Sequence, residues 1–298
     1  MGLFARASGS VRRLLSGDPA GVPDYVARMS EPGDCGVFGP ASMVWCVHSS
    51  TATLLGGARA LVLQALEPRA LAGVSNHSRF QSDPIGRLQN TARFVTVASY
   101  ASTEQLAEEC RLINRIHTAV RGVSGGISYD ATDPVLLRYV HLSLVDSFLA
   151  AYQAFAPTPL SEEEADGYVV EMNRLAPFLG FDSVALPDGV AAMKAMLSPL
   201  TANLSVSALT VTTLDFLRRP PLSGPHRFAY RPLLRAAVAT LDPEIRVMLP
   251  GVFGPSRLDP VYRVFGVLLV RALSRLLGPS PALTAAARRG CGDVSTSA

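Results

Sequence analysis

Three times in the middle of the chain, an apolar run with helical spacing follows a residue pattern that starts helices. Asp83 precedes Pro84, Asp133 precedes Pro134, and Ser161 is followed three residues later by Glu164. A short acidic or hydroxyl side chain accepts from the first free N–H groups of a helix, and proline at the first position has no N–H to leave unpaired. Behind Pro134, the residues Leu136, Leu137, Val140, His141, Leu144, Val145, Phe148 and Leu149 make a broad apolar face. From Thr103, with Ser102 or Thr103 as cap, Leu106, Cys110, Ile113 and His117 fall at i, i+4, i+7 and i+11. The run opened by Gly56 and Gly57 and stopped by Pro68 is apolar nearly all round, the pattern of a buried central helix. Strand alternation, hairpin dipeptides and fixed-period repeats do not stand out. The expectation is an all-α single domain of about ten helices over residues 31–278. Residues 1–30 are expected as a flexible arm that includes a short basic amphipathic helix, and 279–298 as a flexible tail. The proline-rich Arg218–Pro225 is the one candidate internal boundary.

With 48% hydrophobic and 17% charged residues, against roughly 25% charged in an ordinary domain, the 298-residue chain is built to bury a large core. The net charge of +3 is spread over the length, with no basic block, so nucleic acid is not expected as a partner. Lys194 is the sole lysine, an arginine bias read as genome composition. Cys35, Cys46, Cys110 and Cys291 show neither metal-ligand spacing nor a disulfide framework, which points to reduced thiols and a cytoplasmic setting. No secretory leader and no transmembrane span is expected. Val261–Leu277, interrupted by Arg263, Arg271 and Arg275, is read as a helix in the core or at a membrane surface, so peripheral membrane contact stays open. A monomer or homodimer is expected.

The stretch Gly86–His141 carries the candidate chemistry. His117 lies on an apolar helical stripe, where an imidazole serves either as a metal ligand or as a hydrogen-bonded core residue. His141 repeats the pattern on the next helix. Arg87 and Thr91, four residues apart, share a face, and a guanidinium there suits either a ligand carboxylate or an ion pair with Asp83. Arg121 and Tyr129 flank a glycine-containing break. Hydrolase, zinc-protease and nucleotide-loop motifs are absent. An acid–base site using Glu67 or Asp146 beside a histidine is a further reading.

Taken in order, several segments resemble one family. They are Gly56–Ala65, the D-P-x-G-R-L-x-x-T pattern at Asp83–Thr91, H-x-x-V-R-G at His117–Gly122, Y-x-A-T-D-P at Tyr129–Pro134 and Val140–Phe148. The family shares the catalytic domain of rubber oxygenase (latex-clearing protein) and includes a fungal oxygenase that shortens a terpenoid side chain. The resemblance implies a globin-like helical core around haem b, O2 as co-substrate and an apolar substrate, isoprenoid or polyketide-like. It implies His117 as axial iron ligand and Arg87 and Thr91 beside the haem; His141 and Arg121, from their own places in the same stretch, are the further candidate cofactor-binding residues. Asn90 stands where rubber oxygenases have lysine, Glu67 where many relatives have histidine, and no acidic residue marks the position near Leu71. These departures favour a different apolar substrate over rubber, and keep a non-catalytic carrier of a hydrophobic ligand as the alternative.

Overall fold

The computed structural model describes residues 3–78, 83–201, 203–222 and 224–289. The helices in chain order are α1 (Leu3–Ser16), α2 (Asp24–Ala27), α3 (Met43–Ser49), α4 (Thr53–Gln64), α5 (Pro68–His77), α6 (Pro84–Tyr100) and α7 (Thr103–Ala119). A hairpin of β1 (Arg121–Ser124) and β2 (Ile127–Asp130) follows. Then come α8 (Pro134–Phe155), α9 (Glu162–Met172), α10 (Ala176–Leu179), α11 (Val190–Thr201), α12 (Ala208–Arg218), α13 (Gly224–Val238), α14 (Pro243–Met248), α15 (Asp259–Leu277) and α16 (Pro281–Arg288). The all-α class holds.

The start signals act as their chemistry dictates. Asp83 accepts from the Gly86 N–H at 2.9 Å and Asp133 from Val135 at 2.9 Å. Ser161 and Glu164 exchange bonds in a reciprocal capping box. The hairpin is a departure from the expected glycine-containing break. Gly125 and Gly126 have φ of 56° and 82°, the pair of left-handed residues that a tight two-residue turn needs. Arg121 pairs with Asp130 and Ser124 with Ile127 across it. Gly-Gly between Val123-Ser124 and Ile127-Ser128 is a readable hairpin signal.

Helix α8 is the axis of the core, buried along most of its length. Helix α4 crosses it closely at Gly56, where a Cβ would lie 2.6 Å from Phe148 Cδ1 and 2.9 Å from Phe148 Cα. One turn along, Arg59 sits 1% exposed and donates to Asp146 Oδ2 at 2.7 Å and Ser147 Oγ at 2.9 Å. Lys194 of α11 binds the other Asp146 oxygen at 2.8 Å. Helix α15 closes on the far end of α8 through Gly266, whose added Cβ would meet the Phe155 ring at 2.4 Å. Helix α8 is long and apolar enough to cross a bilayer by length and composition, but its inner faces are packed against α4, α9, α11 and α15.

Contacts cross both expected domain limits. Gln89 donates to the Arg13 and Leu14 carbonyls, and Arg12 donates to the Leu277 carbonyl, so α1 lies against α6 and α15. Arg289 donates to the carbonyls of Met29 at 2.7 Å and Tyr100 at 2.9 Å, and Ala286 of α16 is fully buried. The residues 3–16 and 281–289 are therefore docked, where an arm and a tail were expected. Helix α16 is held by its apolar face, with Ala282 and Ala286 in the core, whereas α1 is tied down by the side-chain-to-carbonyl bonds of Gln89 and Arg12. Cys35, Cys46 and Cys110 form no disulfide, and Cys291 lies outside the described residues.

Removing one partner of a buried ion pair strands the other charge. Arg59→Leu is expected to cost about 3–5 kcal/mol in urea unfolding. Gly56→Ala, which must push α4 off the α8 backbone, is expected to cost about 1–3 kcal/mol. An unchanged midpoint in either variant would contradict this packing.

Candidate functional site

Helices α6 and α7 form an antiparallel pair around the turn at Ala101–Ser102. Arg87 lies 14 residues before Ala101 and His117 lies 16 after it. At about 1.5 Å per residue the two stand at nearly the same height, roughly 21–24 Å from the turn. Their electrostatic coupling agrees: the Arg87 charge adds to burial in pushing the His117 pKa down. Both effects disfavour the imidazolium, so His117 is neutral near pH 7, the form that offers a lone pair to a metal. Its Nδ1 is buried with no hydrogen-bond partner. The stripe that carries it is buried at Leu106 and Cys110 and rises to half-buried at Ile113 and His117.

The Arg87 side chain is solvent-open and donates to Ser78 Oγ at 3.2 Å rather than pairing with Asp83, whose carboxylate is occupied as the α6 cap. Desolvation by the surrounding chain lowers its pKa, but from so high a starting point that the guanidinium remains charged. Thr91 is exposed, and its hydroxyl donates to the Arg87 carbonyl at 3.1 Å within the same helix. That hydroxyl keeps only acceptor capacity for a ligand. Both residues stand on an exposed face of α6.

The remaining expected residues separate from this group. The Arg121 guanidinium bonds back to the Thr118 carbonyl at 2.8 and 3.0 Å and caps the C-terminus of α7. The His141 ring is buried on α8, 5.0 Å from the Phe181 ring, with Nε2 unpartnered and its pKa pushed down to about 4 by burial. The His48 ring bridges Ser99 Oγ at 2.6 Å and Tyr168 Oη at 2.9 Å, and burial takes it to about 3. It is a structural link between α3, α6 and α9.

What the sequence did not show is a second cluster beside His117. Tyr129 Oη of the hairpin receives Asn76 Nδ2 at 3.1 Å and lies 3.0 Å from His77 Nε2. A Cβ on Gly122 would stand 2.9 Å from the same oxygen, and one on Gly73 would meet Val120 at 3.3 Å. The end of α5, the start of α6, the end of α7 and the hairpin thus converge on one region.

The acid–base reading is corrected. Burial would raise Asp146, but Arg59 and Lys194 outweigh it and hold the carboxyl below its ordinary range, fully paired. Glu67 is spent as the α5 cap, accepting from the Ala70 N–H at 2.8 Å, and pairs with Arg69 at 3.0 Å. Neither is a free base beside a histidine. Among the described residues, no three His, Cys, Asp or Glu side chains gather to hold a bare metal ion. Two surface clefts, of about 100 and 200 Å³, each carry four charged side chains among their lining residues, and His117 lines neither.

The family model described as the ER-bound oxygenase mpaB/B'/rubber oxygenase catalytic domain matches residues 45–273. The chain belongs to this family. The match takes in α4 to α14 and most of α15, including every expected site residue. No match was found among curated proteins or solved structures. Against the haem that the resemblance implies, the donor set fits: a neutral imidazole with an orphaned buried nitrogen, and beside it a cation suited to a carboxylate.

Two buried neutral histidines fix a pH response. Their folded pKa values, about 3 for His48 and about 4 for His141, lie below the unfolded value near 6.5. The unfolded chain therefore binds more protons below pH 6.5, and stability falls as pH drops through that window. Each contributes about 1.4 kcal/mol per pH unit, so unfolding free energy is expected to drop by about 2–3 kcal/mol from pH 7.5 to 5.5. His141→Leu, which also removes an unpartnered nitrogen, should halve the slope. A flat profile in the parent chain would contradict this.

Proposed function

We propose that the protein is a haem b-dependent oxygenase-like enzyme acting on a small apolar substrate, isoprenoid or polyketide-like, with O2. The observation that carries this is membership of an oxygenase family together with the state of His117, neutral and with a buried nitrogen free of any protein partner. His117 is the proposed axial ligand. Arg87, level with it across the α6–α7 pair, is the proposed partner of a propionate, and Thr91 offers an acceptor oxygen one turn further on. Bound haem supplies the O2-activating redox chemistry. The chain's own part is to hold the ring on one imidazole, balance its carboxylates and keep the imidazole unprotonated. Asn90, exposed on α6, offers a neutral amide where rubber oxygenases have lysine, so no second cation stands there. The proposed setting is the cytoplasm, as monomer or homodimer, with thiols such as Cys110 kept reduced.

A carrier function for a hydrophobic ligand is the second reading, favoured by Asn90 and by the Thr91 hydroxyl being spent within its own helix. Oxygen uptake separates the two. Protein expressed with haem supply is expected to hold close to one haem per chain and to consume O2 with an apolar alkene. Arg87→Gln, losing a charge-assisted bond of about 1.5–3 kcal/mol, should weaken haem retention roughly 10- to 100-fold. Full haem loading without uptake on any alkene supports the carrier, and no haem at all overturns the cofactor reading.

A further inference from the structure

From Phe216 to Leu241 the chain carries five arginines and no carboxylate. Four of these, Arg218, Arg219, Arg227 and Arg231, line a cleft of about 200 Å³ between the end of α12 and the start of α13. Among the described residues, the one acid paired with these arginines is Asp215, bonded by Arg218 Nη2 at 2.6 Å and approached by Arg219 at 3.9 Å. One carboxylate against four guanidiniums leaves a local excess of three positive charges. Arg218 also has a buried Nε with no partner. Arg227 and Arg231 are four apart on α13 and so repel one another on the same face, an arrangement that is unfavourable unless an anion joins them.

The cleft wall is built, not incidental. Tyr230, a lining residue, donates its hydroxyl to the Leu217 carbonyl at 2.8 Å and ties α13 to the end of α12. Between them Pro220 and Pro221 restrict the backbone, and the Leu222 N–H returns to the Pro220 carbonyl at 2.7 Å. The volume is below the roughly 300–1,000 Å³ of pockets for whole drug-sized ligands, which matches a charged head group better than an entire molecule. Guanidinium forks bind phosphate oxygens in pairs.

We propose that this cleft binds a phosphate or diphosphate group, with Arg227 and Arg231 as the principal anchors and Arg218 and Arg219 on the facing wall. It shares no residue with the region around His117 and does not depend on the haem reading. The source is either a free phosphorylated small molecule or a phospholipid head group, which present the same chemistry.

Inorganic diphosphate titrated into the full chain, followed by calorimetry, tests the free form; vesicles containing phosphatidic acid in neutral lipid test the membrane form. Saturable binding in either arm is expected to weaken at least tenfold in Arg227→Gln/Arg231→Gln. It should persist in Arg6→Gln/Arg13→Gln, which removes the same charge from α1. In phosphate-free buffer the Arg227→Gln/Arg231→Gln chain is expected to unfold at an equal or higher temperature than the parent, because repulsion has been relieved. Binding that survives in Arg227→Gln/Arg231→Gln, equal loss in both double variants, or no binding in either arm overturns the proposal.

Discussion

The crossing of α4 over α8 is the constraint on which the rest of this molecule depends. Gly56 lets the two backbones approach to a distance that any side chain would prevent. That approach brings Arg59 into the core, where it is tolerable only because Asp146 and Ser147 receive it. Lys194 then recruits α11 to the same carboxylate. Buried ion pairs contribute little net stability compared with apolar substitutes, but they penalise any other register strongly. The register of α4 on α8 in turn sets where α5 and the hairpin leave the core, and hence where the region around His117 is assembled.

Much of the helical architecture was legible because its boundaries are chemical. Asp83-Pro84, Asp133-Pro134 and the Ser161–Glu164 box are local signals, read without knowledge of tertiary structure. The docking of α1 and α16 was not legible. A short basic amphipathic helix reads the same whether its apolar face meets the protein or solvent, and the contacts that decide it, such as Arg289 to Met29, span 260 residues. Arg59 was hidden for a similar reason: an arginine inside an apolar helix reads as a snorkelling surface residue until a carboxylate from another helix is found opposite. The hairpin was different, since Gly125-Gly126 is a local signal that was available.

For the candidate site, the helical stripe carrying His117 was correctly drawn, but a stripe does not say how deep each of its members sits. His141 shares the same periodicity and ends in the core against Phe181, while His117 ends half-buried beside a cation. The difference comes from neighbours on other helices. Arg87 and Thr91 were placed on one face, as they are, yet solvent reaches both. Arg121 illustrates the limit of motif reading: its position in H-x-x-V-R-G is accounted for locally, by the carbonyl of Thr118 at the end of α7.

The central functional claim is that His117, and not the more deeply buried His141, is the imidazole that takes a prosthetic group. The absorption spectrum of the chain purified after expression with haem supply tests it most directly. A Soret band is expected in the parent chain and in His141→Leu, and its loss in a folded His117→Ala. A band that persists in His117→Ala and disappears in His141→Leu would contradict it.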